Sequence, residues 1–173
     1  MAIAETDLTW HLSGGASNTD PAAALGGAIS TAGGGVITKT KTFNSIFDDI
    51  SGAEAAAGDT EYRCIYVKNA HATLSLTTAK IWIEANTTGN EIYIGLDLAG
   101  KNATADTVAD ESTAPDPAVT FSKDCTSYAT GLSLGDMAAG EYYGIWIKRV
   151  IASSKAATDD DNFTLKCQGD TAA

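Results

Sequence analysis

Apolar and polar residues alternate in short runs along this chain, and no window sustains a helical period of three to four. Runs rich in β-branched and aromatic residues recur between turn-rich stretches at 8–12, 36–39, 44–50, 61–69, 73–76, 80–85, 91–98, 118–122, 141–152 and 162–168. This spacing predicts a sandwich or barrel of antiparallel strands. The one helical exception is Gly52-Ala53-Glu54-Ala55-Ala56-Ala57-Gly58, long enough for about one turn within a loop.

Successive side chains of a strand point to opposite faces, so alternation also assigns the faces. Ile65 and Val67 share one face while Tyr62, Cys64 and Tyr66 take the other. The same division sets Ile145 and Ile147 against Trp146, Ile81 and Ile83 against Trp82, and Ile92, Ile94, Leu96 and Leu98 against Tyr93. The aliphatic faces are the expected core. The aromatics are then expected on outer faces, where they either dock a partner or are covered by the chain's own loops as a second small core. Two segments echo each other as Glu-Tyr-x-x-Ile-aromatic-β-branched-Lys, at 61–68 and 141–148. A gene duplication would explain the echo, as would two strands solving one packing problem, which needs no extra assumption; the separation suits a Greek-key return.

Three connections carry most of the irregular sequence: 13–35, 99–117 and 153–161. The first holds seven Gly and six Ala in 23 residues. Such a stretch recovers little of the ~1–2 kcal/mol of backbone entropy lost per ordered residue. The expectation is therefore an arm ordered by neighbouring subunits, the alternative being a loop lying on its own domain. The domain reading is an N-terminal strand and Gly/Ala-rich arm over 1–35 and a β-sandwich, jelly-roll or immunoglobulin-like, over 36–173.

Composition narrows the chemistry. The 173 residues include 11 basic and 22 acidic side chains, a formal net charge of -11. Nucleic acid is an unexpected partner, because phosphate binding requires clustered Lys or Arg. No run approaches the ~20 apolar residues of a membrane helix, and the first residues lack a basic and an apolar region; synthesis in the cytoplasm is expected. Ala, Thr and Gly together supply 69 residues, which suits a polar, Thr-rich β protein.

Cys64, Cys125 and Cys167 are odd in number and lack Cys-x-x-Cys spacing, so they read as small buried hydrophobes. His11 and His71 stand outside any metal-ligand or nucleophile arrangement and read as structural. Asp159-Asp160-Asp161 and the set Asp106, Asp110, Glu111 and Asp116 offer oxygen ligands for calcium, but neither has the spacing of a calcium loop, and solvated turns are the simpler reading. No cofactor and no enzymatic activity are expected.

Several ordered phrases remain. The chain runs Leu12-Ser13-Gly14-Gly15-Ala16-Ser17-Asn18-Thr19-Asp20-Pro21 with Leu25-Gly26-Gly27, then Phe47-Asp48-Asp49-Ile50-Ser51-Gly52-Ala53-Glu54 leading to Gly58-Asp59-Thr60-Glu61-Tyr62-Arg63-Cys64. Further on come Ala79-Lys80-Ile81-Trp82-Ile83, Ile145-Trp146-Ile147-Lys148-Arg149, Phe163-Thr164-Leu165-Lys166 and Gly169-Asp170-Thr171. In these phrases, which span most of its length, the chain resembles small virion structural proteins of tailed bacteriophages. That class includes head decoration, or cement, proteins. The resemblance implies a component of the virion, and Lys39-Thr40-Lys41 and the long 99–117 segment depart from its phrases.

The acidity favours an outward position, away from packaged DNA. The expected function is a decoration protein on the outer capsid surface, contacting the major capsid protein and neighbouring copies of itself as an oligomer. The alternatives are a tail, baseplate or fibre-associated protein, and a carbohydrate-binding module stacking sugars on Trp82, Tyr93 or Trp146. The interface candidates are Trp10, Leu25, Ile29, Tyr66, Trp82, Tyr93 and Trp146.

Overall fold

A computed structural model describes residues 2–38, 44–87, 89–156 and 161–171. The strands are β1 (Leu8–Leu12), β2 (Val36–Ile37), β3 (Asp59–Asn69), β4 (Leu76–Asn86), β5 (Glu91–Lys101), β6 (Leu132–Met137), β7 (Tyr142–Ile151) and β8 (Phe163–Thr171). They form two antiparallel sheets, in the orders β2-β1-β3-β7-β5 and β6-β4-β8. The protein is a β-sandwich. From β3 onward each connection passes from one sheet to the other, so the aliphatic face of every strand meets the aliphatic face of the opposite sheet.

The core between the sheets follows the alternation of the sequence. Ile65, Val67, Ile81, Ile83, Ile92, Ile94, Ile145 and Ile147 are buried in one cluster, with Leu96 partly buried against it. Leu98 departs from the pattern and is 58% exposed. The β5–β7 register shifts between Leu96 and Lys101, so the strand leaves the core phase there. The two echo segments are neighbours in the middle of the larger sheet, Tyr62 facing Lys148, Ile65 facing Ile145 and Lys68 facing Tyr142.

Gly52–Ala57 forms the single turn of α-helix, α1. Its N-cap is Ser51, whose hydroxyl accepts the Glu54 amide while the Glu54 carboxylate accepts the Ser51 amide, a capping box. Gly58, at φ 81, ends it in a conformation that suits glycine.

Three expected strands are not formed. Residues 44–50 are bends and coil, although Phe47 is buried among the core residues. Of 73–76 only Leu76 joins a strand, β4. The stretch 118–122 contributes a single bridge, Ser122 to Ile94. Conversely, β6 has no clean alternation to announce it. Gly135, at φ 70, lies within the strand, and the β4–β6 register is shifted around its partner Ala79. Lys39-Thr40-Lys41 lies outside the described residues.

The arm is corrected more substantially. Strand β1 pairs along its whole length with β3 and also holds β2, so the N-terminal strand is interior to the larger sheet. The glycine-rich stretch after it lies on its own domain rather than awaiting neighbours. Its backbone is tied there by Ser13 N–H to Cys64 O, Cys64 N–H to Ala24 O and Ser30 N–H to Leu12 O. Backbone groups, which glycine and alanine carry like any other residue, supply the anchorage that the side chains lack.

Candidate functional site: the covered outer face and a buried charge cluster

The outer face of the five-stranded sheet is occupied by a layer made of the 13–35 arm and the 102–122 segment that follows β5. The two segments meet at an antiparallel bridge between Gly27 and Ala105. A second backbone bond runs from Val108 N–H to Leu25 O at 3.0 Å. Gly26, at φ 92, permits this approach, since a Cβ there would stand 1.7 Å from the Asp106 carbonyl oxygen.

Beneath the layer lies a second, smaller core of Cys64, Tyr66, Ala105, Val119 and Trp146, with Ile29, Tyr62, Val108, Phe121 and Tyr142 packed against it. Tyr66 pins both covering segments. Its hydroxyl donates to Gly27 O at 2.6 Å and accepts from Ala105 N–H at 2.8 Å. Burial pushes its phenol well above the ordinary range, and desolvation likewise raises the Cys64 thiol. The Trp146 indole N–H donates to Asp97 Oδ2 at 2.8 Å. Gly95 lies opposite Trp146 in β7. A Cβ on Gly95 would come within 2.3 Å of Val119 Cγ1, so glycine lets the cover close over the indole.

These positions revise the interface candidates one by one. Tyr66 and Trp146 are 0% exposed, hence core side chains under the chain's own loops. Trp10 is half-buried and packs on the inter-sheet core, in phase with Leu8 and Leu12. Leu25 and Ile29 are half-buried within the arm, Ile29 against the second core. Trp82 lies on the outer side of the smaller sheet but is only 5% exposed. Tyr128 meets it edge-on at 6.0 Å, and Lys166 Nζ stands 5.8 Å from its centroid. Tyr93 is half-buried, with Lys148 Nζ 4.0 Å from its ring centroid. Trp146 and Trp82 are thus buried by this chain's own side chains, while Tyr93 keeps part of its surface exposed.

No protein-family model, curated protein or solved structure matches this chain. Its functional reading therefore rests on its residues and their arrangement.

The sequence reading missed a charged cluster at one end of the inter-sheet core. Glu61 and Arg63 are in phase with Ile65 and Val67, and Arg149 with Ile145 and Ile147, so three charges point inward. Charge at core-phase positions of two strands that share an echo was the signal available. Glu61 and Arg63 are 1% exposed and Arg149 is 8% exposed. Arg149 pairs with Glu61, and its Nη1 donates to the Asp48 carbonyl at 2.9 Å. Arg63 pairs with Glu111 of the covering segment. Phe47 stacks on both guanidinium groups, its centroid 4.5 Å from Arg149 Cζ and 5.6 Å from Arg63 Cζ. Burial raises the Glu61 carboxyl despite the opposing pull of Arg149.

Two carboxylate groupings could in principle hold a cation, Asp48 with Glu61 and Glu111, and Glu54 with Asp59 and Glu61. Glu61 and Glu111 already neutralise arginines, and Glu54 accepts the Ser51 amide in the capping box. Of the calcium candidates, Asp159 and Asp160 lie outside the described residues. Asp161 accepts from Thr87 and Asn90, bracing the β4–β5 turn, and Asp110 accepts from Ser112 and Thr113.

The histidines have structural partners. His11 Nδ1 lies 2.9 Å from Ser30 O, which only accepts, so Nδ1 carries the proton and Nε2 accepts from Thr9 Oγ1. His71 Nδ1 accepts the amides of Thr73 and Leu74 in a turn. All three cysteines are free and buried, and burial pushes the Cys167 thiol up to about 12. Among the described residues, no helix is long and apolar enough to cross a membrane.

Proposed function

We propose that this chain is a non-enzymatic structural protein of a tailed-bacteriophage virion, a decoration protein seated on the outer surface of the capsid. Its partners are the major capsid protein and neighbouring copies of itself. The observation that carries this reading is the covering layer on the five-stranded sheet. It turns the two segments of least regular sequence into a surface already folded before any partner arrives. A preorganised surface loses less ordering entropy on docking than a disordered arm.

The charge of that layer supports an outward position. Residues 13–35 and 102–122 contain five carboxylates, Asp20, Asp106, Asp110, Glu111 and Asp116, and no Lys or Arg. Such a surface is repelled by packaged DNA. The resemblance in the ordered phrases supports a virion role, and a tail, baseplate or fibre position is the second reading within it. Contact with the capsid belongs to the exposed surface of the layer, since Tyr66 and Trp146 serve the fold.

Electron cryomicroscopy of particles with and without the protein tests the proposal. Difference density on the outer shell over capsid subunits is the expected result. Density confined to the tail moves the protein to the second reading, and the absence of particle-bound density overturns both.

A further inference from the structure

We draw no further inference here: the strongest candidate, the apolar cleft of about 1140 Å³ between Trp10 and Ile37 of the larger sheet and the edge strand β8 of the smaller one, carries nothing because nothing in the structure shows what covers it.

Discussion

Trp146 gives its indole N–H to the carboxylate of Asp97 at 2.8 Å, and both side chains are shut away from solvent beneath the covering layer. The second oxygen of Asp97 accepts the Ala99 amide at 3.0 Å, so one carboxylate satisfies two donors. Replacing Asp97 with Ala leaves both unpaired. A loss of about 1–3 kcal/mol is expected, the usual amount for one buried donor left unsatisfied, since only the indole is buried and water reaches the exposed Ala99. Urea unfolding followed by Trp fluorescence measures it, and a variant as stable as the parent contradicts the second core.

Tyr66→Phe keeps the ring and removes the hydroxyl that joins the two covering segments. The expected loss is about 1–3 kcal/mol, because the Ala105 amide is left buried without its acceptor. Hydrogen exchange provides the sharper reading. Amides near Gly27 and Ala105 should exchange faster while those of β3 and β7 hold their protection. Uniform loss of protection would mean that the layer does not open separately from the sandwich.

Removing residues 1–35 takes away β1, which bonds both β2 and β3, together with the arm backbone that meets Cys64. Residues 36–173 alone are expected to lack a cooperative thermal transition. A sharp transition with native-like circular dichroism would show that the sandwich stands without its first strand.

Arg149→Ala strands the Glu61 carboxylate inside the protein, and a loss of about 3–5 kcal/mol follows from breaking a buried pair on one side only. Replacing both, as Glu61→Leu with Arg149→Met, should recover most of that loss, since apolar packing often matches a buried pair. Both variants are read by chemical denaturation. If the double variant is less stable than Arg149→Ala, the pair contributes more than mutual neutralisation.

Burial holds the His11 imidazole below its ordinary value of 6.5, outweighing the raising effect of the Ser30 carbonyl, with Lys68 also lowering it. The unfolded chain therefore takes up this proton first as pH falls. The stability that neutral His11 contributes is complete above 6.5 and is lost as pH drops through the folded value. A decline in melting temperature from about pH 7.5 to about pH 5 is expected, in the range where histidine titrates. His11→Gln should flatten it. An unchanged slope in that variant assigns the decline elsewhere. The raised Glu61 carboxyl acts in the opposite sense, adding stability as pH falls through its folded value.

Much of the sandwich was legible because strand periodicity is local. The segments that became β3, β4, β5 and β7 each carry several residues of clean alternation, and their aliphatic faces point where the pattern says, Leu98 excepted. The helical turn of α1 was legible for the same reason, and its capping box is equally local, contained within Ser51 to Glu54. Residues 44–50 misled because Ile46, Phe47 and Ile50 imitate a strand, whereas Phe47 sits in a bend and is buried beside the guanidinium groups of Arg63 and Arg149. The charge cluster went unread because a charge in core phase is tolerable only with a buried partner. Glu61 and Arg149, which provide it to each other, are far apart in sequence.

The sequence by itself determined which side chains share a face within a strand, since pleating assigns those directions one residue at a time. It also determined the acidity of the chain, a formal net charge of -11. Which face is dry and which is wet was decided only by the tertiary structure. Tyr66 and Trp146 stand on the face opposite the main core, and alternation is silent about what lies above them. Their burial depends on bonds such as Tyr66 to Gly27 and Trp146 to Asp97, between residues 39 and 49 positions apart. Such contacts form only when two segments poor in large side chains fold back and satisfy their backbone groups together.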